Sequence, residues 1–234
     1  MALPFFYISH YKNEQQVMLD EDTSRHVVQV LRMKTGEQLN LTDGRGNLLT
    51  CVITEVHKKH CTVAVKETQY IEPPKRKISI AISLLKNANR FEWFLEKATE
   101  IGVNEIIPLV CERTEKEKFR YDRMEQISVS AMLQSQQTWL PAIHDPVQFE
   151  DLVFRQFDND EKLIAHCLQN DKISLSNHQI TKSSNQLILI GPEGDFTRKE
   201  IELALTNQFV PVSLGETRLR TETAGIVAAT LLCL

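Results

Sequence analysis

Leu187-Ile188-Leu189-Ile190-Gly191-Pro192-Glu193-Gly194-Asp195 decides the reading of this chain. Four consecutive branched apolar residues fit a strand buried on both faces, as in a parallel sheet. The strand runs into two glycines and a proline, which end it in a tight turn. Thr197 and Glu200 then form a capping-box pattern that opens a helix over Arg198 to Thr206. In open parallel sheets, ligands bind beyond the carboxyl ends of the strands, and glycines there let a ligand approach the backbone. A plain strand-helix turn explains the same residues equally well. The spacing is neither GxGxxG nor GxxxxGK, which disfavours dinucleotides and nucleoside triphosphates.

The pattern recurs downstream. A strand over Phe209 to Leu214 meets Gly215, and a polar loop with Arg218 and Arg220 leads to a helix over Thr221 to Leu234. Ala224, Gly225, Ala228 and Ala229 permit close packing, and Ile226, Val227, Leu231 and Leu232 leave little polar face. Such a helix belongs in a core or against a second subunit, so a homodimer is expected. Upstream, Ile78 to Leu85 reads as a strand and Arg90 to Ile101 as an amphipathic helix, capped by Asn89 and closed by Gly102. Further strands are expected at Glu105 to Val110 and Lys162 to Cys167, and a helix at Tyr121 to Gln137. Alternating strands and helices imply a parallel sheet covered on both faces.

Residues 1–71 read differently. Gln38 to Thr42, Leu48 to Val56 and Cys61 to Val65 are β-rich around the turn Asp43-Gly44-Arg45-Gly46-Asn47. A helix over Thr23 to Leu31 is expected to bury Val27, Val28, Val30 and Leu31. Pro73 and Pro74 with Lys75-Arg76-Lys77 make residues 72–77 a linker, leaving 78–234 as the second domain.

Composition narrows the classes. With 42% apolar and 25% charged residues, the 234-residue chain should bury a core. No apolar run reaches the roughly 18 residues that span a bilayer, and the N-terminus is a poor signal peptide. Five scattered cysteines without a CxxC pair point to a reducing compartment, so the expected location is cytoplasmic. A net charge of -4 argues against a polybasic coat and leaves room for a local basic groove. His57, His60 and Cys61 share one polar turn without a fourth ligand, so no metal is expected. Trp93 and Trp139 read as core or interface residues rather than base-stacking platforms.

Taken together, Leu189 to Gly194, Leu219-Arg220-Thr221-Glu222-Thr223-Ala224, Arg90 with Glu96 to Val103, and Val30-Leu31-Arg32-Met33 with Gly36 resemble the RsmE-type ribosomal RNA uridine-N3 methyltransferases of the SPOUT superfamily. The resemblance covers nearly the whole chain. It implies an N-terminal PUA-like β-barrel that holds RNA and a trefoil-knotted α/β methyltransferase domain that dimerises. It implies S-adenosyl-L-methionine as cofactor and RNA of the small ribosomal subunit as partner, with no membrane and no metal. Ile190, Gly191, Pro192, Glu193, Gly194, Leu214, Gly215, Leu219 and Thr223 are then the cofactor-binding candidates. Arg220, Glu222 and Arg90 are the catalytic candidates: Arg220 facing a developing oxyanion, Glu222 taking a proton, Arg90 contacting substrate or phosphate. Arg32, Lys34 and Arg45 are the phosphate-contact candidates. The chain departs from the family pattern at Leu133 and Gln137, at Asp195 and at Glu216-Thr217. Two other readings are open: a SPOUT enzyme acting on another RNA atom, and an RNA-binding or ribosome-assembly protein with a degenerate site.

Overall fold

The computed structural model describes residues 3–57, 59–115, 118–155, 161–168, 171–177 and 185–234. Met1, Ala2 and Lys58, which belong to the N-terminal and polar-turn readings, lie outside them. The chain divides into two units, residues 1–73 with 132–140 and residues 74–131 with 141–234.

The first unit holds β1 (Phe5–Tyr7), β2 (Gln16–Met18), α1 (Glu21–Arg25), a π-helical turn (His26–Val30), β3 (Gln38–Thr42), β4 (Asn47–Val56) and β5 (Cys61–Tyr70). Its five strands run in the order β1-β3-β4-β5-β2, with β1 parallel to β3 and the other pairs antiparallel. Register shifts in the β4–β5 pair bend this ribbon. Leu39, Leu41, Leu49, Cys51, Ile53 and Val63 fill its core from alternate positions. The expected helix over Thr23 to Leu31 is corrected. Asp20 caps a short α-helix, which gives way to the π-turn, and only Val27 of the four named residues is fully buried. Val30 and Leu31 are exposed, because the wider turn rotates them off the buried face. β5 also runs five residues past Val65, because β4 supplies a full-length partner. Residues 138–140 dock on the Asp43–Asn47 turn of the same unit. Leu140 N–H donates to Gly44 O at 2.9 Å, and the Trp139 indole N–H to Ile71 O at 2.9 Å.

The second unit holds β6 (Ile78–Ser83), α2 (Ala88–Ile101), β7 (Glu105–Val110), α3 (Tyr121–Gln134), β8 (Ala142–Ile143), β9 (Val147–Gln148), α4 (Phe149–Phe154), β10 (Glu161–Ala165), β11 (Ile173–Ser174), β12 (Gln186–Ile190), α5 (Arg198–Thr206), β13 (Val210–Ser213) and α6 (Thr221–Cys233). The sheet is parallel throughout, in the order β11-β13-β10-β12-β6-β7-β8, with β9 also on β7. All six residues of β6 and all five of β12 are buried, as central parallel strands require. One face packs against Phe91, Phe94 and Leu95 of α2, Met124 of α3 and Ala228, Ala229 and Leu232 of α6. The other packs against Leu152 and Val153 of α4 and Ile201 and Ala204 of α5. The sheet is therefore covered on both faces.

The capping box of Thr197 and Glu200 forms, and Gly102 ends α2 in the left-handed region at φ 99°. The cap of α2 is Asn87, not Asn89; the Asn87 side chain accepts from Asn89 N–H at 3.0 Å. β6 stops at Ser83 and α3 at Gln134, short of the expected Leu85 and Gln137. Leu84 N–H is already bonded to Leu109 O, and Gln136 takes φ 55°, which no helix continues through.

Candidate active site

Two loops beyond the carboxyl ends of β12 and β13, the strands on either side of β10, build the site. The first follows β12. A Cβ on Gly191 would stand 3.0 Å from the Phe196 ring and 3.1 Å from its backbone nitrogen, so glycine lets the chain fold back on itself without displacing Phe196. Asp195 occupies the left-handed region at φ 65°, where a short polar side chain is tolerated. Its carboxylate accepts from its neighbour Phe196 N–H and from Cys167 N–H beyond β10, each at 2.8 Å. This departure from the family pattern thus ties the loop to the adjoining strand. Arg113, which no motif marks, donates to Gly194 O at 2.5 Å.

The second loop follows β13. Gly215 lies at φ 144°, and Ser213 Oγ donates to its carbonyl at 3.0 Å. The two loops are pinned together where α6 begins: Thr221 Oγ1 donates to Gly191 O at 2.9 Å, with Thr221 buried. Between the second loop and residues 165–167 lies a cavity of about 380 Å³, within the range of small-molecule sites. Leu214, Gly215, Leu219 and Ala224 line it. A narrower recess shares Leu219 and Ala224 and reaches Ile190, Gly191, Pro192 and Glu193. Thr223 and Gly194 line neither space; Ala224 stands where Thr223 was expected, and Gly194 is exposed.

The wall opposite comes from the end of β10, a strand the sequence pattern gives but whose residues it does not mark as lining a site. Ala165, His166 and Cys167 line the cavity, and Lys172 Nζ donates to His166 O at 2.7 Å. His166 is 6% exposed, and neither imidazole nitrogen has a hydrogen-bond partner among the described residues. Burial, then the Lys172 charge, pushes its pKa below the usual value, against a smaller opposing pull from Asp195. The imidazole is neutral at pH 7. Burial also raises the Cys167 thiol, so it is a wall rather than a nucleophile.

Beside the recess the structure assembles three charged groups. Arg90, in the first turn of α2, donates from Nη1 to Glu193 Oε1 at 2.8 Å. Its Nε lies 3.7 Å from Glu222 Oε1, an ion pair longer than a hydrogen bond. Glu222, in the first turn of α6, has a side chain 8% exposed, and its buried Oε2 has no hydrogen-bond partner among the described residues. Gly225 seats this turn: a Cβ there would come within 2.6 Å of the Phe94 ring and 2.8 Å of Ile82. Of the catalytic candidates, Arg90 and Glu222 meet. Arg220 does not join them; it is the N-cap residue of α6, with an exposed side chain.

Arg32, Lys34 and Arg45 are exposed on the first unit, Arg32 in the left-handed region at φ 55°. Trp139 is held by its bond to Ile71 O and by contact with Gly46, so it is a structural residue of that unit. Trp93 is 45% exposed and is not core. The His57 and His60 rings stack at 4.2 Å. Among the described residues, no group of three or more His, Cys, Asp or Glu is arranged to hold a metal ion.

Residues 72–233 match the RNA methyltransferase domain family and residues 19–66 the RNA methyltransferase PUA domain family. The chain is 30% identical to the ribosomal RNA small subunit methyltransferase E of Bacillus subtilis, over 87% of this chain and 84% of the relative. The crystal structure of a probable rRNA-methyltransferase from Porphyromonas gingivalis superposes with a TM-score of 0.91 at 38% identity, covering 99% of this chain and 98% of the other. A ribosomal RNA small subunit methyltransferase E from Neisseria gonorrhoeae, crystallised with S-adenosyl methionine, superposes with a TM-score of 0.86 at 28% identity, covering 97% and 95%.

Proposed function

Because this chain belongs to the ribosomal RNA small subunit methyltransferase E family, we propose that it methylates N3 of a uridine in 16S ribosomal RNA with S-adenosylmethionine as cofactor. The observation that carries the reading is the meeting of two glycine-turned loops at one recess, pinned by Thr221 and continuous through Leu219 and Ala224 with the lining of the larger cavity, with the Arg90–Glu222 pair alongside. The backbone of residues 190–193 and 214–219 supplies the walls a flat nucleoside group needs. The neutral His166 closes the far side without adding a charge.

The bound cofactor supplies a methyl group on a positively charged sulfur. The protein's task is to hold the acceptor in line behind that carbon, and positioning of this kind lowers a barrier substantially. Neutral uridine carries a proton on N3. Glu222 accepts it, because its Oε2 is buried and, among the described residues, without a hydrogen bond of its own. The cofactor, when bound, would supply the methyl group that replaces this proton, and Glu222 would carry the proton away from N3. Arg220, exposed at the start of α6, is the group we assign to negative charge developing on the base oxygens. Arg90 is shared between two carboxylates, so its role is to organise Glu222 rather than to grip phosphate. The paired N3 edge is occupied in a duplex, so the target uridine must be unpaired or flipped.

The finer features belong to the same reading. The second unit is a SPOUT domain, its chain threaded as a trefoil knot. Arg32, Lys34 and Arg45 on the PUA-like unit contact phosphates. Two copies pair; α6 buries Ala228 and Leu232 within its own chain, yet Leu234 is 88% and Trp93 45% exposed, which supports an apolar surface for a partner copy. No described helix is long and apolar enough to cross a membrane, and a cytoplasmic location suits an enzyme of ribosomal RNA. The test is methyl transfer to small ribosomal subunits and to naked 16S RNA, followed by mass spectrometry of the nucleosides.

A further inference from the structure

The Arg90 guanidinium is divided between two unequal carboxylates. Glu193, 42% exposed, takes Nη1 at 2.8 Å; Glu222, 8% exposed, faces Nε at 3.7 Å. An arginine beside a buried carboxylate ordinarily closes to a bidentate pair, with two short bonds. Here the buried carboxylate receives the looser contact and the exposed one the short bond. Glu222 therefore has a compensating charge near it, and among the described residues its Oε2 has no hydrogen-bond partner. A buried polar atom left without a partner costs stability and calls for an explanation. Closing the Arg90–Glu222 pair would relieve that cost. It would also occupy the carboxylate lone pairs that the acceptor's proton would otherwise meet.

We propose that Glu193 is a positioning residue: its side chain holds Arg90 back from Glu222 and keeps the Glu222 carboxylate open to the acceptor's proton. This rests on the reading of Glu222 as the group that accepts that proton. Glu193 then has two separate functions. Its backbone belongs to the loop that walls the recess, while its side chain points away to Arg90. A residue that sequence comparison would group with the cofactor loop thereby acts on the acceptor side of the reaction.

The test compares Glu193→Gln, Glu193→Asp, Glu222→Gln and the double variant Glu193→Gln/Glu222→Gln, each as the full chain. S-adenosylmethionine affinity is read by calorimetry, and kcat and KM with small ribosomal subunits at saturating cofactor. Glu193→Gln should lower kcat by about 10- to 100-fold, the range typical of losing general-base assistance. Cofactor Kd and subunit KM should stay within about 3-fold, since no uniform binding is removed. Glu193→Asp should recover part of the loss by restoring the negative charge. In the Glu222→Gln background, Glu193→Gln should cost less than about 2-fold, because the two changes disable one function. Full turnover in Glu222→Gln would remove the premise and the proposal together. Lost turnover in Glu222→Gln with unchanged kcat in Glu193→Gln would overturn the proposal alone. A Glu193→Gln defect seen only in cofactor Kd, or one that multiplies in the double variant, would make Glu193 a cofactor contact and also overturn it.

Discussion

Replacing Gly225 by alanine tests how the fold seats the reactive carboxylate. The new methyl would lie 2.6 and 2.7 Å from two Phe94 ring atoms and 2.8 Å from Ile82 Cδ1. Phe94 and Ile82 are both 0% exposed, so neither can swing into solvent. Overpacking a filled core by a methyl costs about 1–3 kcal/mol. Alanine regains about 1 kcal/mol of helix propensity over glycine. The net should be a loss of roughly 0–2 kcal/mol, with most of the strain relieved by α6 moving off α2. That movement carries Thr221 and Glu222 away from Gly191 and Arg90. Turnover on ribosomal subunits should therefore fall about 10-fold or more, out of proportion to the stability change. The assay pairs thermal unfolding with methyl transfer. A contrasting variant is Gly36→Ala, where no atom lies within 4 Å but φ is +91°. It should cost about 1–2 kcal/mol of backbone strain and leave cofactor affinity unchanged. If Gly225→Ala were more stable than the parent and fully active, the close-packing argument would be wrong.

Three other outcomes follow from the same geometry. Gly191→Val should abolish cofactor binding by calorimetry, because its side chain would collide with Phe196 and push the loop into the recess; an unchanged Kd refutes that placement. Replacing Arg32, Lys34 and Arg45 together with alanine should weaken RNA binding, flatten its log-log salt dependence by up to about 3, and leave cofactor affinity alone. A triple variant with undiminished RNA affinity rules out their phosphate role. His166 has a folded pKa below its usual 6.5, so the unfolded chain binds the extra proton first as the pH falls. Stability should drop as the pH goes from above 6.5 down toward the folded pKa, and level off below it. His166→Asn should flatten that part of the melting-temperature profile, and an unaltered profile would clear His166 of the effect.

The elements that sequence patterning made legible are those set by local chemistry. The apolar run ending at Ile190, the capping box at Thr197 and the left-handed Gly102 each carry their own signal, and all stand in the structure. Signals that two residues share equally were misassigned: Asn87 and Asn89 are chemically identical caps, and only the backbone path selects the first. Val30 and Leu31 fit a helical face, but a π-turn, which periodicity does not register, leaves them exposed. The glycine turns of the two loops were legible because each has a local reason for glycine, close approach to Phe196 at Gly191 and positive φ at Gly215. His166 and Arg113 were not, since each reaches the site through tertiary contact and neither belongs to a motif. The sharing of Arg90 by Glu193 and Glu222 joins residues more than 100 positions apart, which no spacing rule reads.

The most direct test of the account is the site of methylation itself. Small ribosomal subunits and naked 16S RNA from cells lacking the enzyme would be incubated with the protein and methyl-labelled S-adenosylmethionine, then digested to nucleosides and analysed by mass spectrometry. The account predicts label in 3-methyluridine, dependent on Glu222 and on an intact Gly191 loop. Label in a ribose-methylated nucleoside or another base, or no transfer despite measurable cofactor binding, would contradict it.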